Sequence, residues 1–371
     1  MMFDYLIDNN SIDIDDYKKK LIQKLILGET TPSDHNDFYY EPWIFEIVAN
    51  KKNSIDVDKF DYICRDSYHI GLQSAFVDYD RIFQTSRIIN NNLCFNIKND
   101  FNLLSLFQSR YKLFKQVYRH EKIIGIDLMI KDMLVLSNEY FKFTEAIFNP
   151  EEYIKLDDHI IHKIEKFSKY ETKPNLLQAS NLFKRLRHRD IYKYVGEIIY
   201  PNEYNPVDNL KYEVKIEDII SCDNPKDEFY IKPEDLEICK FSIDYGNGRK
   251  NPFDSILFYK NENERRSFTV PSNKISLVIP EVFMETYYVL ICKDPNKYMR
   301  ACHMFKEYLK KLDRNSHTKP KSNISDSNLT PVKENSKFNL TPRFTSNKRE
   351  SEYSLEQIIS KNTDLLFNKI N

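Results

Sequence analysis

Apolar residues recur along this chain with two different periods, and the change from one to the other divides it. Met1-Met2-Phe3-Asp4-Tyr5-Leu6-Ile7 is already apolar at helical spacing with no capping residue before it, so the chain is expected to start inside a helix, the first of two short ones over residues 1–30. Pro32-Ser33-Asp34 interrupts the pattern, and the short aromatic run from Pro42 to Val48 reads as core. Residues 55–72, IDVDKFDYICRDSYHIGL, form the next helix, entered after Asn53-Ser54. A helix over residues 79–89 follows, then NNN and an alternation from Leu93 to Lys98 that reads as a strand in a hairpin. Between Asn102 and Tyr140, Leu106, Leu113, Val117, Ile124, Leu128 and Val135 hold a helical period over several turns, with a kink expected near Gly125. Two or three further helices occupy residues 150–200.

After the run Tyr192–Glu197 the period shortens. Segments at residues 212–216, 228–231, 241–245, 256–259 and 268–270 alternate with turns and read as strands, and a long helix near residues 298–312 closes the lobe. From Asp313 to about Glu350 Ser, Asn, Lys, Thr and Pro dominate, too little apolar surface to fold, so a disordered tail is expected. The tetrapeptide NLTP occurs twice there, setting Thr330 and Thr341 before prolines. The terminal SLEQIISKNTDLLFNKI has a Ser354/Gln357 capping box and an amphipathic stripe suited to docking on the body or on a partner. The expected fold is α+β: a helical domain over 1–197, a mixed lobe over 198–312, a tail over 313–352 and a terminal helix over 353–371.

Composition narrows the chemistry. The net charge of −1 predicts no partner by itself, so any such argument rests on local clusters. The six cysteines are scattered without a CxxC spacing, which fits reduced thiols in a nuclear or cytoplasmic protein and argues against structural zinc. No apolar run reaches the length of a membrane span. None of the six glycines lies in a GxxxxGK[ST] or GxGxxG pattern, so a bound nucleotide has to be held by side chains.

On a helix over residues 55–72, Asp58, Tyr62, Asp66 and His69 fall on one stripe, with Lys59 beside it. That set suits a metal-bound polyphosphate; it is also the pattern of a solvated helix face with i,i+4 pairs. Arg110, Phe114 and Tyr118 share a second face, crowded by Lys115, Arg119, His120 and Lys122. His159 and His162 lie three apart, with no third metal ligand near them in sequence. The basic clusters at 110–122 and 184–193, the first interleaved with aromatics, are also compatible with single-stranded nucleic acid.

IDVDKFDYICRD, the face from Arg110 to Tyr118, IYKYVGE at 191–197 and DYGNGRKNPFD at 244–254, in this order, resemble the sterile-alpha-motif and HD-domain deoxynucleoside triphosphate triphosphohydrolase family over about residues 1–312. The resemblance implies a helical HD core holding a divalent metal (Fe, Zn or Mg), a mixed C-terminal lobe, and cleavage of dNTPs to a deoxynucleoside and triphosphate. Asp58 would be the last of four metal ligands; Lys59, Tyr62 and Arg110 would hold the triphosphate, and Asp66 and Tyr118 would read the sugar. Arg81, Lys98, Asn102, His120, Arg189, Lys193 and Lys250 match the family's allosteric positions, implying dGTP or GTP as effector and a homo-oligomer, or a hetero-oligomer with a full-length paralogue.

Four positions depart from the pattern: Phe114 replaces a histidine, Gln116 an arginine, Arg119 a glutamine and Glu121 a lysine. The family's histidine, His-Asp dipeptide and two further histidines would precede the MMFDYLI segment, and no His-Asp dipeptide occurs in this sequence. A metal on Asp58 alone would be weakly held, so the isolated chain is expected to be inactive, with a nucleotide-binding regulatory or oligomerisation subunit as the alternative.

Overall fold

The computed structural model describes residues 1–28, 41–72, 77–170, 173–202, 211, 213–222, 230–315 and 321–324. Its helices begin with α1 (Met2–Asn9) and α2 (Asp16–Leu27), followed by a 3-10 turn over Pro42–Glu46. α3 (Val57–Ile70) is the predicted motif helix. Its boundaries have local causes: the Asp56 side chain accepts from the Lys59 backbone N–H at its start, and Gly71 at φ 71° closes its end. Phe60, Ile63 and Ser67 are its buried face, three and four residues apart.

The helix expected over residues 79–89 ends early. α4 (Tyr79–Gln84) stops, and Arg87–Ile89 becomes β1, paired antiparallel with β2 (Asn92–Asn96). The two-residue connection Asn90-Asn91 has φ of 49° and 57°, the left-handed pair that a tight hairpin needs and asparagine tolerates. β2 also ends sooner than expected, because Ile97–Asn99 turns as a 3-10 segment into α5 (Asp100–Leu113).

The long helix is broken, though not at Gly125. α5 passes into a π-turn, Phe114–Tyr118, and α6 (Glu121–Phe141) starts afresh with His120 as its cap, Nδ1 accepting from the Lys122 N–H at 3.2 Å. Gly125 sits inside α6 for a different reason: a Cβ there would lie 2.8 Å from the Tyr192 carbonyl oxygen. The glycine lets α6 approach the sheet, and the helix continues through it. Short helices α7 (Phe143–Ala146) and α8 (Pro150–Tyr153) lead to α9 (Ile160–Phe167) and α10 (Pro174–Arg187).

The second lobe is a four-stranded sheet in the order β4-β6-β3-β7, built from β3 (Lys193–Tyr200), β4 (Leu236–Asp244), β6 (Met284–Cys292) and β7 (Lys321–Ile324). β6 is antiparallel to both neighbours. β6 and β7 fall where no strand is expected, and β3 crosses the expected boundary at residue 197. Of the expected strands, residues 213–215 and 230–231 carry none and Ile216–Ile220 is a helix, α11; the 241–245 segment is the end of β4; Phe258–Tyr259 forms β5, parallel to β2, and Phe268 makes only an isolated bridge to Phe258. After the short α12 (Ser272–Ile275), α13 (Tyr298–Asn315) covers the sheet, with Met304 and Phe305 packed on Val195, Ile198 and Leu290. β7 lies within the stretch read as tail; Thr330, Thr341 and the terminal helix lie outside the described residues. A separate core of Ile63, Phe107, Phe253 and Phe258 joins α3, α5 and β5, while Ile124 and Met129 of α6 pack with Ile243, Val289 and Ile291 on the other face of the sheet. Among the described residues, no helix is long and apolar enough to cross a membrane.

Candidate functional site

α3, α5 with the π-turn that continues it, and the loop after β4 bring three distant pieces of sequence to one wall. Lys59 lies in the first turn of α3, its Nζ 2.9 Å from the buried Asp56 carboxylate. Asp56 also accepts the Asn50 N–H at 3.0 Å, so one carboxylate caps the helix, closes the preceding turn and holds the cation. Asp56→Ala should therefore cost about 2–3 kcal/mol of stability, the loss of a cap plus an unpaired half-buried charge. Thermal melting of Asp56→Ala beside Asp56→Asn, which keeps the cap acceptor, would check this.

Arg110 reaches from α5 to the end of β4. Its Nη1 lies 2.9 Å from Asp244 Oδ1 and also donates to the Asp244 carbonyl, and the guanidinium lies over the Phe114 ring at 4.5 Å. Asp244 is itself fixed by the Gly246 N–H at 2.6 Å. Gly246, at φ 101°, is pressed against Ser54, where a Cβ would fall 2.5 Å from Oγ. The Asp244–Gly248 turn thus touches both the arginine of α5 and the entrance to α3.

Tyr62 follows Lys59 by three residues on α3 and interacts with Arg110. Burial pushes its hydroxyl up to about 12, with the charge of Arg110 pulling the other way, so it is a neutral hydrogen-bonding group at physiological pH. Its ring meets that of Tyr118 edge-on at 6.4 Å. Tyr118 donates to Asp66 Oδ2, and burial first, then this bond, raises its hydroxyl far above the ordinary phenol value. Within the π-turn Phe114 and Tyr118 lie ring to ring at 5.0 Å, and the Arg119 N–H bonds back to the Phe114 carbonyl. Tyr62, Asp66, Arg110 and Tyr118 therefore meet across α3 and α5, with Lys59 at the start of α3; spacing groups them only helix by helix, and the resemblance alone implies that the two sets share a site. Asp56 and Asp244 join them without having been singled out by pattern: the cap of α3 is readable at Asp56, but nothing local marks the Asp244 partnership across 134 residues.

Asp58 is exposed on the first turn of α3 without an ion pair among the described residues. No three His, Cys, Asp or Glu side chains gather to hold a metal ion among the described residues. Among the described residues, the donors around Asp58 do not fit a firmly bound divalent ion.

Of the allosteric set, three residues are neighbours. Arg81 Nη2 donates to the Lys98 carbonyl at 3.4 Å, and Asn102 bridges both backbone groups of Asp78, the cap of α4. His120, Arg189 and Lys250 are exposed at the start of α6, beyond α10 and in the loop after β4, and Lys193 opens β3; no hydrogen bond joins these four to one another among the described residues. Arg119 lies over the Phe241 ring at 4.8 Å. His159 pairs with Asp157 at 3.5 Å, and His162 packs edge-on against Phe183, so they form no shared site.

No family model matches the chain. The deoxynucleoside triphosphate triphosphohydrolase SAMHD1 homolog of Dictyostelium discoideum is 30% identical over 335 residues, 90% of this chain and 60% of that protein. SAMHD1 of Homo sapiens is 30% identical over 392 residues, 96% of this chain and 61% of that protein. The chain belongs to the SAMHD1/HD-domain family. A putative HD domain-containing protein of Acanthamoeba polyphaga mimivirus is 30% identical over 269 residues, 68% of this chain and 55% of that protein. The chain spans about 60% of the length of the first two curated relatives it matches. The wall that α3 forms with α5 and the β4 loop presents a pair of half-buried cations, Lys59 and Arg110.

Proposed function

We propose that this chain binds deoxynucleoside triphosphates along the α3–α5 wall, with Lys59, Arg110 and Tyr62 on the triphosphate and Asp66 with Tyr118 at the sugar. The observation that carries the reading is that Arg110 acts on the neutral Tyr62 phenol, with a second half-buried cation, Lys59, three residues before Tyr62 on α3. Polyphosphate oxygens are met there by charge-assisted hydrogen bonds without a competing anionic tyrosinate. Each cation already has an internal carboxylate partner, so a ligand enters by sharing or replacing Asp56 and Asp244. A polyanion does this more readily than a single phosphate, because it gains several such bonds at once. Asp66 is an acceptor for a 3′-hydroxyl, competing with the Tyr118 bond.

Hydrolysis to deoxynucleoside and triphosphate is the family reaction, and divalent-metal dependence goes with the HD-domain family. This chain's own residues supply binding, orientation and charge offset; with Asp58 the lone candidate ligand among the described residues, the chain by itself is proposed to bind without turnover. The grouping of Arg81, Lys98 and Asn102 supports a separate effector site for dGTP or GTP, and a nucleotide there would favour assembly with a second copy or a longer paralogue.

Calorimetry decides the central reading. Titrated with dGTP, the chain should give saturable heat, with deoxyguanosine far weaker and GTP distinguished by its 2′-hydroxyl, and no triphosphate should accumulate when a divalent metal is added. Absence of heat with every dNTP would remove the proposal, and triphosphate release would remove its non-catalytic half.

A further inference from the structure

Three side chains on the far side of the π-turn meet at a single oxygen of a fourth. Glu285 Oε2, on β6, accepts from the Tyr287 hydroxyl at 2.5 Å, the Tyr111 hydroxyl at 2.8 Å and Lys115 Nζ at 3.2 Å. Lys115 also donates to the Tyr111 hydroxyl at 2.8 Å and lies over the rings of Tyr111 and Tyr287 at 5.2 and 5.8 Å. Burial alone would raise the Glu285 carboxyl; the two phenols and Lys115 outweigh it and hold it below its usual range. The carboxylate is therefore charged, and it contributes stability above its unfolded pKa that is lost as pH falls through the lower folded value.

We propose that Glu285 is a positioning residue for the dNTP site: through Tyr111 and Lys115 it fixes the register of the π-turn, and thereby where Arg110, Phe114 and Tyr118 stand. The inference rests on the dNTP-binding reading above. Tyr111 and Lys115 each follow a site residue by one position, Arg110 and Phe114, so the helix presents one i,i+4 pair to the wall and the next pair to the sheet. A π-turn has poorer hydrogen-bond geometry than an α-helix of the same sequence and persists where its surroundings specify it. A half-buried ionic hub is a weak source of net stability, because desolvation offsets attraction; what it supplies is direction, since Tyr111, ahead of the turn, and Lys115, within it, both reach one oxygen only in one register. None of Tyr111, Lys115, Glu285 and Tyr287 is hydrogen-bonded to Lys59, Tyr62, Asp66 or Tyr118 among the described residues, so their influence on the wall passes through the backbone of the turn.

Amide hydrogen exchange read together with dGTP calorimetry tests this. In Glu285→Ala, amides of residues 114–120 should exchange about tenfold faster while those of β4 and β6 stay within error, a local opening rather than global unfolding. Affinity for dGTP should fall by a similar factor, Glu285→Gln, which keeps an acceptor oxygen, should recover part of both, and Tyr111→Phe should give a smaller shift of the same kind. Unchanged exchange at 114–120, or acceleration spread evenly over the sheet, would overturn the proposal. Should the alanine variant fail to fold, the glutamine and phenylalanine variants decide it by the same exchange pattern. If the parent protein binds no dGTP, the nucleotide reading fails, and exchange still decides whether Glu285 holds the turn.

Discussion

Replacing Arg110 with alanine is expected to weaken dGTP binding about a hundredfold, the consequence of removing a desolvated charge from a polyphosphate site. The size follows from its surroundings: with its side chain 14% exposed, bonded to Asp244 and lying on Phe114, the guanidinium is already oriented, so little ordering entropy remains to be lost on binding. Arg110→Lys should recover only a small part, since an ammonium cannot stack its plane on the Phe114 ring, nor keep one nitrogen on Asp244 while presenting donors on two others. Asp244→Asn is the informative companion. It leaves the cation in place without its anion, so stability falls while the site becomes more positive. Calorimetry on the three variants, with melting temperatures alongside, separates these terms; an Arg110→Ala protein that binds dGTP like the parent would mean that the triphosphate lies elsewhere.

Gly125→Val should destabilise the protein by about 3 kcal/mol, because overpacking here drives a side chain into backbone rather than into movable atoms. The clash is with the Tyr192 carbonyl, 2.8 Å from a Cβ at this position, and Tyr192 opens the run into β3 while donating to Asp132 of α6 at 2.9 Å. Pushing α6 away loosens the packing of Ile124 and Met129 against Ile243, Val289 and Ile291. Chemical denaturation would measure the loss, and Gly125→Ala should fall between the parent and the valine variant, its better helix propensity offsetting part of the clash.

Much of the helical lobe is legible in sequence because its elements are amphipathic and locally bounded. α3 reads directly: Phe60, Ile63 and Ser67 turn inward, Lys59, Tyr62 and Asp66 follow the same helical geometry, and Gly71 ends it. The sheet is harder for a physical reason. β6 is flanked on both edges and buried on both faces, so METYYVLIC is a near-continuous apolar run without the alternation that marks a half-exposed strand. β3, KYVGEIIY, has a bulge between Tyr194 and Gly196 that disturbs its period as well. The kink expected at Gly125 is absent because a glycine in a helix has two readings, a bend or a close approach, and only the neighbour across the interface, Tyr192, separates them. In the site, residues on one helix can be grouped by spacing, whereas Asp244 and Glu285 are joined to α5 and the π-turn only by folding.

The π-turn at Phe114–Tyr118 has an evolutionary consequence. Such a turn is an α-helix with one residue too many, so deleting a single residue there would give a better-bonded helix that rotates everything after it by about 100°. Selection for stability alone would favour that deletion. The chain has the extra residue, and with it a wall in which Phe114 meets Tyr118 and Tyr118 reaches Asp66 of α3, so on the proposed reading drift at this segment trades backbone quality against ligand recognition.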